Sequence, residues 1–224
     1  MSAVQRVLDA IEEFKKGRMV IMVDDEDREN EGDLVYASVF STPEHVNFMA
    51  THAKGLICVA INSSIAKRLH LEPMVKSNTS MHETAFTISV DATAATTGIS
   101  TAERDMTIKI LANPISQPQE LVAPGHIFPL IAKDGGVLMR SGHTEAAVDL
   151  CKLANLPPVG VICELANDDG TVMRGDQIKA FGETHKIRRI SVADLIAYRQ
   201  AREKLVERVA TFPVKTEIGF TKWP

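Results

Sequence analysis

Apolar side chains recur at helical spacing along the opening residues: Val4, Val7, Leu8, Ile11 and Phe14 share one face, and Gly17 ends the run. An uninterrupted apolar stretch at residues 19–23 then reads as a strand. Helical signals return at Thr42, with Pro43 at the first helical position and Glu44 in the first turn. They stop at Gly55, ahead of a second strand, "LICVAI". Further strands are predicted around residues 85–90, 126–131 and 159–165. Ser100 with Glu103 is a capping-box signature for the helix "TAERDMTIKILA", which Pro114 terminates. Residues 144–153 read as another helix, led in by "GHT", and a last one starts near Val192 and runs to about residue 209. The tail "TFPVKTEIGFTKWP" has no strong period. Helix and strand alternate with short connections and no repeat, so one compact domain of helices and strands is expected.

Composition narrows the class. With 224 residues, 45% of them hydrophobic, and a net charge of -4, the chain can bury a sizeable core as a soluble protein. Its evenly mixed charge lacks the basic face of a nucleic-acid binder. Cys58, Cys151 and Cys163 are far apart and set in apolar surroundings, the pattern of buried thiols in a reducing compartment. No charged-then-apolar leader opens the chain, and no apolar run approaches the length of a membrane span, so the cytoplasm is the expected location and no membrane partner is expected.

The segment "VDDEDRENEGD" (23–33) places seven carboxylates and Arg28 directly after a strand. A solvated loop is the plain reading. Gly32, however, allows a turn that folds the acids together, and clustered carboxylates call for a balancing cation. Many oxygen donors and few sulfurs favour magnesium or manganese over zinc. An EF-hand started at Asp27 fails, because its twelfth position is Ser38 where a bidentate glutamate is required. Asp25 and Asp27 also form the D-x-D of an aspartyl-phosphate phosphatase, with Glu29 where a small residue is expected, and this stands as a rival.

Two other polar groups sit at element ends. In "RSGHTEA" (140–146), a glycine, a threonine, an arginine and a helix N-terminus suit an oxyanion. His143 there is either a capping or surface histidine, or a metal ligand or acid–base group. His126 opens an apolar strand and Glu164 closes another, where a carboxylate is either exposed or a general base. Three such clusters in a small domain point to a shared cleft.

The stretches "DDEDRENEGDLV", "TTGISTAERDMTI", "PGHIFPL", "GGVLMRSGHTEAAVDLCKLA" and "VICELANDDGTVMR" closely resemble the 3,4-dihydroxy-2-butanone 4-phosphate synthase family of riboflavin biosynthesis, from near the N-terminus to about residue 200. That resemblance implies an α+β fold, a single domain in which a mixed twisted sheet carries helices on both faces as a three-layer sandwich. It implies conversion of D-ribulose 5-phosphate to L-3,4-dihydroxy-2-butanone 4-phosphate and formate by enolisation, dehydration and skeletal rearrangement. Magnesium or manganese, two ions per site, and no organic cofactor are implied, as is a homodimer with active sites near its interface. Residue by residue, Glu29 and His143 match the metal ligands, and Arg28, Glu29, Asp33, Arg140, Ser141, Gly142, His143 and Thr144 match the substrate and phosphate contacts. His126 and Glu164 match the catalytic positions, and Thr97 and Cys58 fall in stretches that line the family's site. Among the remaining acids, Glu31 and Asp27 are the best placed for a role.

Residues 1–209 are thus expected to form the synthase domain and 210–224 a C-terminal tail. "VKTEIGF" resembles the entry into the cyclohydrolase half of bifunctional riboflavin proteins; no cysteine-rich zinc site follows it, so synthase activity alone is expected. A noncatalytic binding module with the same fold is a third reading.

Overall fold

Ser2 caps the amphipathic opening helix α1 (Ala3–Lys15), its hydroxyl accepting the Gln5 N–H, and Val7, Ala10, Ile11 and Phe14 are the buried stripe. The chain then enters β1 (Val20–Val23) and returns as β2 (Gly32–Ala37). Together with the strands below, residues 2–204, 212–216 and 219–223 are described in this computed structural model.

Thr42 accepts the His45 N–H and starts α2 (Pro43–Phe48), which continues as a π-turn over Met49–Ala53. Lys54, with φ of 67°, breaks the turn, and β3 (Cys58–Ile61) follows. Helix α3 (Ser63–Arg68), strand β4 (Val90–Ala92), helix α4 (Thr101–Ala112) and the long strand β5 (Leu121–Ile131) come next. The remainder is α5 (His143–Leu153), β6 (Val159–Glu164), α6 (Asp176–His185), β7 (Arg188–Ser191) and α7 (Val192–Arg202). Seven strands form one mixed sheet in the order β4-β5-β3-β6-β2-β1-β7, with β1 parallel to β7 and β3 parallel to β5. Strands β8 (Phe212–Thr216) and β9 (Gly219–Trp223) pair as a separate antiparallel hairpin in the tail.

Period-two alternation divides the side chains of each central strand between two cores, and both faces are covered, so the strands read as continuous apolar runs. Val20, Met22, Val35, Ala37, Cys58, Ala60 and Ile162 face α1, α5 and α7. Ile21, Leu34, Tyr36, Val59, Ile61, Val161 and Cys163 face α2, the π-turn, α3, α4 and α6. This is the expected α+β sandwich.

Local readings differ from the structure at several points. No strand forms over 85–90: Phe86 and Thr87 make only isolated bridges, and regular pairing begins at Val90. Strands β2 and β7 and helices α3 and α6 carry no strong period of their own and were not anticipated; they are held by pairing and packing across the sheet. Ser100 does cap α4, but the Glu103 carboxylate turns to the N–H and hydroxyl groups of Thr96 and Thr97 and to the Ser100 hydroxyl. Helix α7 ends at Arg202, and part of its expected extension lies outside the described residues.

Candidate active site

Pairing register builds the floor of the site. Asp33 on β2 stands opposite Glu164 on β6, and Ile162 opposite Cys58 on β3. Alternation puts all four on the face that carries α5, whose N-terminal residues His143 and Thr144 overhang the strand ends. The resulting cleft of about 440 Å³ is lined by Arg28, Glu29, Glu31, Asp33, Cys58, His82, Thr84, Arg140, His143, Thr144, Glu164 and Arg174, among others.

The acidic loop between β1 and β2 is ordered by Asp24, whose side chain is fully buried. One Asp24 oxygen accepts the Glu31 N–H at 2.9 Å; the other accepts the Glu29 N–H at 3.2 Å and Arg28 Nη1 at 2.7 Å. Arg28 also donates to Glu29 Oε2 at 2.7 Å, so a single guanidinium relieves the repulsion between two carboxylates. Arg174 reaches across from the segment after β6 to the Glu29 carbonyl and Glu31.

His143 is 6% exposed, with Nδ1 3.6 Å from Glu29 Oε2 and 3.8 Å from Asp33 Oδ1. The ring of His143 close by, followed by the charge of Arg28, holds the Glu29 carboxyl down to about 2 against its partial burial. Burial acts to lower the His143 pKa, but the charges of Asp33 and Glu29 outweigh it and raise the pKa to about 9. Burial is also the main reason that the Asp33 carboxyl is raised, with Glu164 and Glu29 adding to the effect.

Among the described residues, His143 Nε2 and Asp33 Oδ1 are buried side-chain atoms with no hydrogen-bond partner. Such orphans are costly unless a ligand completes them. One ligand atom each of Asp24, Glu29 and His143 lie within 4.8 Å of one another, a donor set of two carboxylates and an imidazole. The residues therefore fit a divalent cation of the magnesium or manganese type.

Leu56 N–H donates to Glu164 Oε2 at 2.8 Å. A Cβ at Gly55 would lie 2.4 Å from the Glu164 carbonyl and 2.6 Å from Oε2, so the chain leaving the π-turn touches this carboxylate only because residue 55 has no side chain. On the opposite wall, Arg140 donates to Glu145, Thr84 and the His82 carbonyl.

Of the residues expected at the site, Arg28, Glu29, Asp33, Cys58, Arg140, His143, Thr144 and Glu164 converge on the cleft. Gly142 caps α5 beside Arg140, while Ser141 is exposed and does not line the cleft. His126 and Thr97 are not cleft-lining either. His126 Nδ1 and N–H both bond to Asp91, and a Cβ at Gly98 would stand 2.0 Å from Asp91 Oδ2 and 2.8 Å from His126 Nδ1. These residues form a second polar group at the β4–β5 edge. Asp25 and Asp27, the D-x-D of the phosphatase reading, are exposed and are not among the residues that line the cleft, whereas Glu31 is. His82, Thr84 and Arg174 were missed; the first two lie in irregular chain with no periodic signal, whereas Arg174 closes a motif already singled out.

Comparison with known proteins places the chain in a family. Residues 8–198 match the family model for 3,4-dihydroxy-2-butanone 4-phosphate synthase. A protein of that name from Sulfurospirillum multivorans is 60% identical over 208 residues, covering 93% of this chain and 58% of its own length. The chain thus spans less than two thirds of the length of these curated relatives. A two-domain synthase from A. baumannii superposes with a TM-score of 0.93 at 45% identity, over 97% of this chain and 64% of that one. A 3,4-dihydroxy-2-butanone 4-phosphate synthase in complex with two magnesium ions superposes with a TM-score of 0.86 at 39% identity, over 89% of this chain and 99% of that one. The chain belongs to the 3,4-dihydroxy-2-butanone 4-phosphate synthase family.

Proposed function

We propose that the chain converts D-ribulose 5-phosphate to L-3,4-dihydroxy-2-butanone 4-phosphate and formate, supplying the four-carbon unit of riboflavin. The observation that carries this reading is the meeting of an orphaned, buried His143 with Glu29, Asp33 and Glu164 opposite an arginine wall, in a chain of this family.

Glu29 and His143 would hold two magnesium or manganese ions, with Asp24 fixing the loop that carries Glu29. The bound cations would supply Lewis acidity toward the sugar carbonyl and its neighbouring hydroxyls. Asp33 accepts hydrogen bonds from the sugar hydroxyls, and Arg28 contacts the same end of the substrate. Arg140, Ser141, Gly142 and Thr144 take the phosphate, where Arg140 and the N-terminus of α5 present donors. Glu164, with one oxygen fixed by Leu56, moves the proton at C3 of the sugar through its other oxygen. No organic cofactor is required.

His126 is the second acid–base group, its Nδ1 fixed by Asp91 so that Nε2 faces outward. It reaches a site by homodimerisation, with Thr97 beside it. The apolar side chains Ile88, Ile99 and Val122, each about half exposed near this edge, support a face covered by a second copy. Residues 1–209 constitute the synthase domain and 210–224 its tail. Buried free thiols and the absence, among the described residues, of a helix able to cross a membrane fit a cytoplasmic enzyme.

Formate release from D-ribulose 5-phosphate with magnesium, with inorganic phosphate followed in parallel, tests the reading. Chelator-sensitive formate without phosphate is expected. Phosphate alone, or neither product, would overturn it.

A further inference from the structure

We infer that Glu145 and Thr84 are positioning residues that fix the Arg140 guanidinium in the cleft wall so that its remaining donors meet a phosphate group; this rests on the synthase reading above. Glu145 is 1% exposed. Its Oε2 accepts Arg140 Nη1 at 2.6 Å and its Oε1 accepts the Lys133 N–H at 2.9 Å. Both oxygens serve as acceptors, whereas an amide in place of the carboxyl group would turn an N–H toward one of the two donors. From the opposite side Thr84 Oγ1 accepts Nη2 at 3.0 Å, and the His82 carbonyl accepts Nε at 3.1 Å.

Three of the guanidinium's five N–H groups are thereby engaged, which leaves one on each terminal nitrogen. That fork matches an oxyanion. The arginine also abuts the start of α5: a Cβ at Gly142 would lie 2.3 Å from Nη1. An arginine held on three sides loses little further rotamer freedom when ligand arrives, and that cost otherwise weakens binding. Glu145 carries a negative charge near an anion site, which by itself disfavours phosphate. The proposal is that fixing the fork outweighs this repulsion. Through the same contacts Arg140 ties the irregular segment 82–84 to α5, so the clasp also sets the shape of the cleft.

Titration of the manganese-loaded protein with inorganic phosphate, followed by calorimetry, reads this directly. Glu145→Gln and Thr84→Val are each expected to weaken phosphate binding about tenfold. Manganese affinity should hold, and KM for D-ribulose 5-phosphate should rise more than kcat falls. Thr84→Ser, which restores the hydroxyl, should recover the affinity. Should Glu145→Gln not fold, the half-buried Thr84 pair carries the test. Unchanged or tighter phosphate binding in the folded variants, with Arg140→Gln still abolishing it, overturns the inference. Phosphate binding that survives Arg140→Gln overturns instead the phosphate role given to Arg140, and the inference with it.

Discussion

Asp33 and Glu164 face each other across the β2–β6 pair, on the sheet face covered by α5. Like charges directly opposite on adjacent strands are destabilising, yet burial keeps Asp33 protonated to higher pH than an ordinary aspartate. An acid whose folded pKa is raised costs nothing below its unfolded pKa and costs increasing stability as pH rises through the folded one. Glu164→Gln should therefore raise the stability of the metal-free protein by about 0.2–1 kcal/mol near pH 9, where Asp33 is ionised, and change it little near pH 5. Urea unfolding at the two pH values checks this; an equal gain at both would show that the carboxylates do not interact.

Metal binding should release a proton. His143 is raised from its ordinary 6.5 to about 9 by Asp33 and Glu29, so at neutral pH it is protonated, and a cation needs its neutral ring. Manganese affinity should rise with pH up to about 9 and level off above it. Calorimetry in buffers of different ionisation enthalpy should find close to one proton released per site at neutral pH. The same shift contributes stability that is fully present below 6.5 and lost as pH rises through about 9.

The loop that carries Glu29 depends on Asp24, whose two oxygens accept two backbone N–H groups and Arg28. Asp24→Asn keeps the shape but replaces an acceptor by a donor. Manganese affinity should fall about 10- to 100-fold, as for supports behind metal ligands generally. Paramagnetic resonance of free manganese measures it. Unchanged affinity would mean that the loop is ordered without Asp24.

Gly55→Ala should act on catalysis through Glu164. Its Cβ would fall 2.6 Å from Glu164 Oε2 and closer still to the carbonyl, so the carboxylate has to move. With Glu164 in the proton-transfer role proposed above, a displacement of this size should lower kcat by about 10²-fold. Manganese and phosphate binding should be kept, and in a Glu164→Gln background the substitution should cost little more. Full additivity of the two changes would show that Gly55 matters for the fold and not through Glu164.

Helices α1, α4 and α5 were legible because their signals are local. Ser2, Ser100 and Gly142 cap them, apolar residues recur at their period, and Gly17 and Pro114 end the first two. Residues 32–37 gave no such signal, since "GDLVYA" continues an acidic loop and becomes a strand only by pairing on both sides with β1 and β6. The stretch 85–90, apolar enough to read as a strand, lacks a full partner and makes isolated bridges.

By itself the sequence determined one compact domain of alternating helices and strands, through apolar runs between amphipathic segments; its resemblance to a family implied the two-sided sandwich and the roles of Glu29, Asp33, Arg140, His143 and Glu164. Only the tertiary structure decided who meets whom. Register sets Asp33 against Glu164, and the side-chain period of two makes that pairing all or nothing. Chain reversal brings His82, Thr84 and Arg174 to the cleft from irregular segments, while His126, bonded to Asp91, does not line it. Such contacts link residues tens of positions apart, and their energy comes from burial and pairing across the sheet, which no local pattern encodes.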